Sequence, residues 1–327
     1  MIHRSNLPPT PGTVGVVLVN WNGAEHTIPC IASLLSGSVT PDRIVVVDNA
    51  SRDDSAERIV SRFPEVTLLR NTENLGFTGA NNQGIERLIA SGCDYIWILN
   101  NDTIVDRECL STLKEHLEAH RDVAACSGKV LYAEPRDLIW FAGATVGAWT
   151  LVATHRGVGE RDTGRYDRIE PTPFLSGCCM FVRREALQRL GAFDDRFFAY
   201  FEDADWCLRA GEAGVRLDYQ PRAVLWHKVS ATLHGLKAPG SAGTTSPFGV
   251  YITIRNRWFL IRKHARSPLR MATAGLAHAL ATGYHAGGLL LLGRFQKLKA
   301  VALAVYDGLF EPLDESASRR KKPRYLG

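Results

Sequence analysis

Three carboxylates lie close together in a part of the chain that is rich in aromatic side chains. They are Glu202, Asp203 and Asp205, within residues 197–209. Taking a carboxylate out of water is costly, and an apolar environment raises its pKa toward the range in which it can accept a proton. The segment is therefore a candidate for proton abstraction. The alternative interpretation is a helix N-terminus, where acidic residues are favoured by the helix dipole.

A second polar group follows a short apolar run. Asn100-Asn-Asp-Thr103 comes directly after Tyr95–Leu99. A carboxylate such as Asp102, at the open end of a strand, can bind a hard divalent cation whose other ligands are phosphate oxygens. His227, which follows the strand-like run Ala223–Trp226, is a second candidate ligand. The alternatives are an ordinary turn for the first group and a structural histidine for the second.

The elements that must position these residues alternate regularly in the first hundred residues. Short apolar, β-branched runs alternate with segments of helical spacing, which predicts an α/β fold with a parallel sheet and right-handed crossovers. The predicted strands are Val14–Asn20, Ile44–Asp48, Val66–Leu69 and Tyr95–Leu99, and the predicted helices are Ala24–Leu35, a segment from the Ser51–Asp54 cap to about Phe63, and Thr78–Ala90.

Polar side chains mark the ends of three of these strands. They occur in Asn20-Trp-Asn22, in Asp48-Asn-Ala-Ser51 and in Asn100-Asn-Asp102. In parallel sheets, ligands bind outside the carboxyl ends of the strands. We therefore expect a shared ligand site at this edge of the sheet.

The pattern changes after about residue 106. A helix is predicted over Arg107–His120, a strand over Pro173–Arg183 and a helix over Asp203–Gly214, and the pattern is helical from Pro247 onward. Residues 269–292 are rich in Ala, Gly and Leu but include two histidines. A membrane-spanning helix needs about 20 apolar residues without such interruptions. An amphipathic or packed helix is therefore expected here.

Composition limits the class of protein. The chain has 327 residues, of which 45% are hydrophobic and 22% charged, as in an ordinary soluble protein. The net charge of +5 is concentrated in residues 251–270 and 319–324, without the interleaved aromatic residues typical of a nucleic-acid site. The basic tail is either a solvated terminus or a segment attracted to an anionic membrane. Seven scattered cysteines and a polar N-terminus favour a cytoplasmic location.

Six motifs in a fixed order make a more specific identification. Together they resemble the inverting family 2 glycosyltransferases of GT-A fold, in particular the rhamnosyltransferase-like and galactofuranosyltransferase-like branch. The resemblance covers about residues 13–260. The motifs are Val16-Val-Leu-Val-Asn-Trp-Asn22, Val47-Asp-Asn-Ala-Ser51, Asn74-Leu-Gly-Phe-Thr-Gly-Ala-Asn-Asn-Gln-Gly84, Leu99-Asn-Asn-Asp-Thr103, Gly191-Ala-Phe-Asp194 and Tyr200-Phe-Glu-Asp-Ala-Asp-Trp206.

The resemblance implies an architecture. The GT-A fold has a Rossmann-like, mostly parallel central sheet flanked by helices, and here a helical C-terminal extension follows it. Residues 1–105 would form the nucleotide-sugar-binding half, residues 106–235 the acceptor-binding and catalytic half, and residues 236–327 a helical region able to associate with a membrane.

The resemblance also implies roles for individual residues. Asp203 matches the catalytic base, with Glu202 and Asp205 as supporting neighbours. Asp102 matches the last acid of the Asp-x-Asp metal motif, and His227 matches a histidine that completes the metal and diphosphate site. The residues implied in binding the nucleotide sugar are Asp48 at the pyrimidine ring, Asn20 and Asn22 beside the base or ribose, Asn49, Gly76, Phe77 and Asn81 around the nucleotide, Asn101, Trp206 at the sugar, and Arg255 and Arg257 near the diphosphate.

The chain departs from the family pattern at the first acid of the metal motif, which is Asn100 here. With one carboxylate fewer, Mg²⁺ or Mn²⁺ is expected to bind mainly as a complex with the donor diphosphate. Imidazole ligation by His227 favours Mn²⁺. The first candidate donor is dTDP-rhamnose, and the alternatives are UDP-galactofuranose or another UDP- or GDP-hexose. The expected acceptor is a polysaccharide or a lipid-linked glycan at the cytoplasmic face of a membrane.

Other classes of protein fit less well. A dinucleotide-binding oxidoreductase needs Gly-x-Gly-x-x-Gly after the first strand, whereas the chain has Asn20-Trp-Asn-Gly-Ala-Glu there. A non-catalytic nucleotide-sugar-binding module remains an alternative, but it would not need the Asp203 cluster together with Asp102 and His227. No nucleic-acid-binding motif is present.

Overall fold

The computed structural model describes residues 12–229 and 246–313, together with residues 323 and 325. Within these residues, ten strands form one sheet and two further strands form a small ribbon. The strands are β1 (Val14–Asn20), β2 (Arg43–Asp48), β3 (Thr67–Arg70), β4 (Tyr95–Leu99), β5 (Thr103–Val105), β6 (Val123–Tyr132), β7 (Ile139–Phe141), β8 (Ala144–Val146), β9 (Ala153–His155), β10 (Glu170–Pro171), β11 (Cys179–Arg183) and β12 (Arg216–His227). The helices are α1 (Ala24–Leu35), α2 (Ser55–Arg62), α3 (Gly76–Ala90), α4 (Cys109–Ala119), α5 (Arg184–Leu190), α6 (Glu202–Glu212), α7 (Pro247–His264), α8 (Pro268–Leu291) and α9 (Phe295–Phe310).

The N-terminal part of the sheet is parallel. Strands β4, β1, β2 and β3 are neighbours in that order, and every pairing among them is parallel. Asn20 lies opposite Asp48 in the register of β1 and β2. The polar strand ends therefore meet at one edge, as the sequence predicts.

The rest of the sheet is mixed rather than parallel. β11 runs antiparallel to both β4 and β6, whereas β6 and β12 are parallel. The predicted α/β fold is confirmed. The strand predicted over Pro173–Arg183 begins only at Cys179, because residues 177 and 178 form a turn and the amide of Leu175 donates to the thiol of Cys207.

Close packing joins α3 to the sheet. A Cβ on Gly84 would lie 2.2 Å from Cγ2 of Val17, so only glycine allows this approach. Strands β1, β2 and β4 are almost wholly buried, which explains their apolar composition. All seven cysteines are buried and free.

A strained loop leads into α6. Phe198, Tyr200 and Phe201 have φ angles of 62°, 66° and 72°, a conformation that costs side-chain-bearing residues about 1–2 kcal/mol each. The side-chain amide of Asn256, on α7, donates to the carbonyls of Phe197, Ala199 and Tyr200 at 2.7, 2.8 and 2.8 Å. Helix α7 therefore holds this loop from behind.

An ion cluster anchors the first turn of α6 to α7. The carboxylate of Asp205 lies 2.9 Å from His264 Nε2, 2.7 Å from Lys263 Nζ and 2.9 Å from Arg209 Nε. Burial alone would raise the pKa of Asp205. The hydrogen bond from His264 and the charges of Arg209 and Lys263 hold that pKa below its ordinary value.

The C-terminal helices α8 and α9 pack beside α7. Val250, Ile254 and Leu289 share an apolar cluster with Ala300 and Ala304 of α9. No helix in the described ranges combines the length and the apolar character needed to cross a bilayer.

Replacing Asn256 with Ala is expected to lower the free energy of unfolding by about 2–4 kcal/mol, because three carbonyls in a strained loop lose their donor. Urea denaturation measures this change. Gln296→Ala, at an exposed position of α9, is the matched amide control and is expected to change stability by less than about 0.5 kcal/mol. Equal stability of the two variants would contradict the role given to Asn256.

The ion cluster predicts a pH-dependent stability difference. Because the folded-state pKa of Asp205 is depressed, its carboxylate stabilises the fold above the ordinary value of 3.8, and that contribution is lost as the pH falls through the folded pKa. The stability gap between wild type and Asp205→Asn is therefore expected to be full at pH 7 and to shrink below pH 3.8. Urea unfolding at stepped pH tests this, and a gap that widens in acid would contradict it.

Candidate active site

A buried hydrogen-bond network joins the ends of β1 and β2. Asn20 Nδ2 donates to Asp48 Oδ1 at 2.9 Å, and the hydroxyl of Ser51 donates to the same oxygen at 2.6 Å. Thr27, on α1, donates to Asn20 Oδ1 at 2.7 Å and accepts from Asn101 at 2.8 Å. The network fixes the orientation of Asp48 and brings Asn101, at the end of β4, to the same edge.

Asn22 and its neighbour Trp21 lie on the solvent side of this network. The amide N–H of Asn22 donates to Ser51 Oγ at 2.9 Å, and its side-chain oxygen accepts from the backbone of Arg52 at 2.7 Å. Trp21 is 56% exposed. This exposed indole, next to Asn20 in the chain, is available for stacking on a flat ring.

Asn49 organises the loop before α3. Its Nδ2 donates to Asn74 Oδ1 at 2.9 Å and to the carbonyl of Gly76 at 3.0 Å, while its oxygen accepts from the amide of Leu75 at 2.9 Å. Gly76 has a φ of +73°, and a Cβ there would lie 2.3 Å from the carbonyl oxygen of Phe198. Glycine is required at this position because the loop contacts the strained segment before α6.

The first turn of α3 faces the same region. Phe77 packs against Phe193, with ring centroids 6.1 Å apart. Asn81 Nδ2 donates to the carbonyl of Phe77 at 2.9 Å. The side-chain oxygen of Asn81 is buried and has no hydrogen-bond partner in the described part of the chain.

Asp102 and His227 form a close pair at the end of β4 and β12. Asp102 Oδ1 lies 3.0 Å from His227 Nε2, and both side chains are less than a tenth exposed. Burial alone would raise the pKa of Asp102, but the charge and hydrogen bond of His227 hold it below its ordinary value. Asn100 Nδ2 lies 3.5 Å from the same imidazole nitrogen. Because its side chain is an uncharged amide, Asn100 does not supply the carboxylate that the family's metal motif has at this position.

The pair is suited to a divalent cation but is an incomplete ligand set. One carboxylate and one imidazole are ligands that Mn²⁺ accepts, and their facing atoms are close enough to share an ion. No cluster of three or more His, Cys, Asp or Glu side chains able to hold a metal exists among the described residues. A bound ion would therefore need oxygen ligands from another molecule, such as a diphosphate.

Glu202 and Asp203 begin α6 directly after the strained loop. Asp203 accepts hydrogen bonds from the amides of Gly177 at 3.0 Å and Ala204 at 2.7 Å. Burial raises the pKa of Asp203. The pKa of Glu202 is raised well above its ordinary value by burial and by the neighbouring charge of Asp203. One oxygen of Glu202 is buried without a hydrogen-bond partner in the described residues.

The turn before β11 connects the two acidic groups. The amide of Gly177 binds Asp203, and the carbonyl of Cys178, the next residue, accepts from the amide of Asn100 at 3.1 Å. The charges of both Asp102 and Asp203 contribute to the raised pKa of the Cys178 thiol, after the larger effect of burial. Segments a hundred residues apart in sequence therefore border the same turn.

Four other predicted site residues, Asp205, Trp206, Arg255 and Arg257, have partners within the fold. Asp205 belongs to the ion cluster with His264, Lys263 and Arg209. The indole of Trp206 is fully buried and donates to the carbonyl of Gly191 at 3.0 Å, so it packs in the core.

The two arginines of α7 are likewise buried among backbone acceptors. Arg255 donates to the carbonyl of Arg196 at 2.5 Å and lies over the ring of Phe259. Arg257 donates to the carbonyls of Leu151 and Thr150. Their guanidinium groups already have partners within the fold, and a role for either one at the diphosphate stays a prediction.

Sequence patterns did not single out three residues that organise the site. Ser51 and Thr27 orient the Asp48–Asn20 pair, and Asn256 supports the loop before Asp203. Ser51 lies three residues after Asp48 in the second motif, so the sequence itself indicates that the two side chains are close. Asn256 acts across more than fifty residues, and no local pattern marks it.

Comparison with known proteins identifies the family of this chain. The model of glycosyl transferase family 2 matches residues 15–191. The N-acetylglucosaminyl-diphospho-decaprenol L-rhamnosyltransferase of Mycobacterium tuberculosis is 29% identical over 308 residues, covering 88% of this chain and 97% of that protein.

Solved structures support the same fold. The mannosyltransferase of Pyrobaculum calidifontis, in complex with GDP-Man and Mn²⁺, has a TM-score of 0.54 at 18% identity, covering 91% of this chain and 87% of that one. Residues 1–349 of S. aureus TarS have a TM-score of 0.56 at 15% identity, covering 94% and 87%. Since the family model spans more than half of the sequence and the fold agrees, the chain belongs to glycosyl transferase family 2 and is an inverting glycosyltransferase of GT-A fold.

Proposed function

We propose that this enzyme transfers a sugar, with dTDP-rhamnose as the first candidate donor, to a hydroxyl group of a lipid-linked glycan or polysaccharide. The observation that carries the proposal is that Asp203 and the Asp102–His227 pair border one turn, at Gly177 and Cys178. The similarity to a rhamnosyltransferase along most of the chain supports this donor. UDP-galactofuranose and other UDP- or GDP-hexoses are the alternatives.

The nucleotide is assigned to the edge formed by β1 and β2. Asp48, held by Asn20 and Ser51, presents a carboxylate oriented to accept from a pyrimidine N–H. Trp21 offers an exposed ring for stacking on the base. Asn49, Gly76, Phe77, Asn81 and Asn101 complete the proposed surface around the nucleotide sugar.

The diphosphate is assigned to the Asp102–His227 pair. These two side chains would hold Mg²⁺ or Mn²⁺ together with the donor's phosphate oxygens. The ion would supply positive charge to the departing diphosphate. His227 is held beside Asp102 and packs edge-on against Trp140, with centroids 4.7 Å apart, so its ring orientation is fixed before the donor binds.

Asp203 is the proposed general base. An acceptor oxygen attacks the anomeric carbon from the face opposite the diphosphate, its proton passes to Asp203, and the carbon–oxygen bond to the diphosphate breaks. One displacement inverts the anomeric configuration. The two backbone amides that bind Asp203 fix its orientation while burial raises its pKa.

Glu202 is proposed as the protonated neighbour of this base. Burial and the charge of Asp203 raise the pKa of Glu202. Two backbone amides donate to Asp203, whereas one oxygen of Glu202 has no partner among the described residues, and this difference favours the ionised form on Asp203 and the proton on Glu202. A neutral Glu202 adds no second negative charge beside Asp203. Asp203 is then free to remain ionised as the proton acceptor.

The first experiment tests the base. Asp203→Asn is expected to lower kcat by about 10²–10⁴-fold, because the amide cannot accept the proton, while donor affinity is unchanged. Steady-state kinetics and donor titration measure the two quantities. Asp54→Asn, at an exposed residue before α2, is the matched control and should keep the wild-type kcat. A near-normal kcat in Asp203→Asn would refute the assignment.

The second experiment tests donor and metal together. Because a ligand that binds the native state raises the melting temperature, dTDP-rhamnose with Mn²⁺ is expected to give the largest thermal shift in a panel of dTDP-, UDP- and GDP-sugars. In Asp102→Ala, the metal-dependent part of that shift is expected to disappear. A larger shift with UDP-galactofuranose would move the donor assignment to the alternative, and an unchanged metal effect would exclude Asp102 as a ligand.

A further inference from the structure

Helix α8 exposes an apolar face along its whole length. Leu269, Leu276, Leu280, Tyr284 and Leu291 are 61%, 62%, 66%, 88% and 90% exposed. Their spacing of seven, four, four and seven residues places them on one side of the helix. Arg270 is the one Asp, Glu, Lys or Arg residue within α8. A helix face in contact with water ordinarily carries charged residues, and this one does not.

Helix α9 adds exposed aromatic residues. Phe295, Tyr306 and Phe310 are 66%, 56% and 68% exposed, and Leu303 is 38% exposed. The rings of Tyr306 and Phe310 lie 5.2 Å apart. Aromatic side chains of this kind are enriched where a protein meets the boundary between lipid and water.

The same part of the chain has a one-sided charge. No Asp or Glu occurs between Asp218 and Asp307, whereas the sequence has 12 Lys and Arg residues in that interval. The whole chain contains 34 acidic residues among 327, so an interval of this length would ordinarily hold several. Arg255, Arg257 and Lys263 have partners inside the fold. The basic residues on or beside α8 and α9 are Arg270, Arg294, Lys297 and Lys299, which are exposed or half-buried, whereas Asp307 of α9 is buried. The surface of these two helices is therefore complementary to a negatively charged surface.

Basic and apolar side chains meet in one groove. Tyr284 and Leu291, from the apolar face of α8, line a groove of about 560 Å³ together with Arg294 and Lys297. An anionic headgroup beside the two basic residues would place its acyl chain against the apolar residues. The groove thus offers positive charge for a phospholipid headgroup and an apolar surface for its acyl chain.

We propose that the exposed faces of α8 and α9 form a docking surface for an anionic lipid bilayer, with α8 lying in the plane of the interface. No described helix is able to cross a membrane, which is consistent with an interfacial position. A second copy of the chain would present the same net-positive surface and would be repelled, whereas an anionic bilayer complements it. Docking needs neither donor nor acceptor, so it can fail or succeed independently of the proposed function.

Vesicle co-sedimentation of the full-length protein tests the docking surface. Binding is expected to vesicles of phosphatidylglycerol and phosphatidylcholine, and only weak binding to phosphatidylcholine alone. Arg294→Gln and Lys297→Gln are each expected to weaken binding about fivefold. The double variant Leu280→Glu/Leu291→Glu is expected to weaken it at least about tenfold, because both leucines then resist entry into the lipid.

The control is Val60→Glu, which places a charge at another exposed apolar position, 40% exposed on α2. It should bind vesicles as wild type does. Circular dichroism and melting temperature establish that each variant is folded, which is expected because none of the substituted side chains is buried. Wild-type binding by the double leucine variant would overturn the proposal. It would also be overturned if light scattering showed a dimer that the same substitutions dissociate, without vesicle binding by the wild type.

Discussion

The constraint on which the site depends is the placement of two desolvated carboxylates at the start of α6. Glu202 and Asp203 follow three residues with positive φ angles, a costly backbone conformation. The loop persists because Asn256 binds three of its carbonyls from one side and Thr78 donates to the carbonyl of Phe198 from the other. The chemistry of α6 therefore rests on contacts from both α3 and α7.

Sheet register accounts for the other end of the site. Asn20 and Asp48 are partners in the parallel pairing of β1 and β2, so their hydrogen bond follows directly from the strand alignment. Asp102 and His227 come together differently, because β5 and β12 are antiparallel and pair Thr103 with His227. Two pairings of opposite direction thus form the two polar groups that are proposed to bind the nucleotide and the diphosphate.

The fold class and the strand-end residues could be predicted from sequence because they depend on local patterns. Apolar strands followed by Asn or Asp fix the edge at which polar groups gather. The structural roles of Asp205 and Arg257 depend on partners distant in sequence: Lys263 and His264 for the aspartate, and the carbonyl of Leu151 for the arginine. An acidic cluster or an Arg-x-Arg pattern does not reveal which member already has a partner. The domain division at residues 105 and 235 stays a prediction.

The exposed faces of the C-terminal helices likewise depend on contacts that the sequence alone does not reveal. The sequence of α8 is compatible with a packed or an amphipathic helix, since Leu, Ala and Gly occur on every side. In the fold, Ala274, Thr282 and Leu289 are buried, while the leucines at 276, 280 and 291 face outward. Packing therefore buries two small side chains and one leucine, and leaves most of the large side chains of α8 exposed. A protein that only needed to cover its core would be expected to place them the other way round.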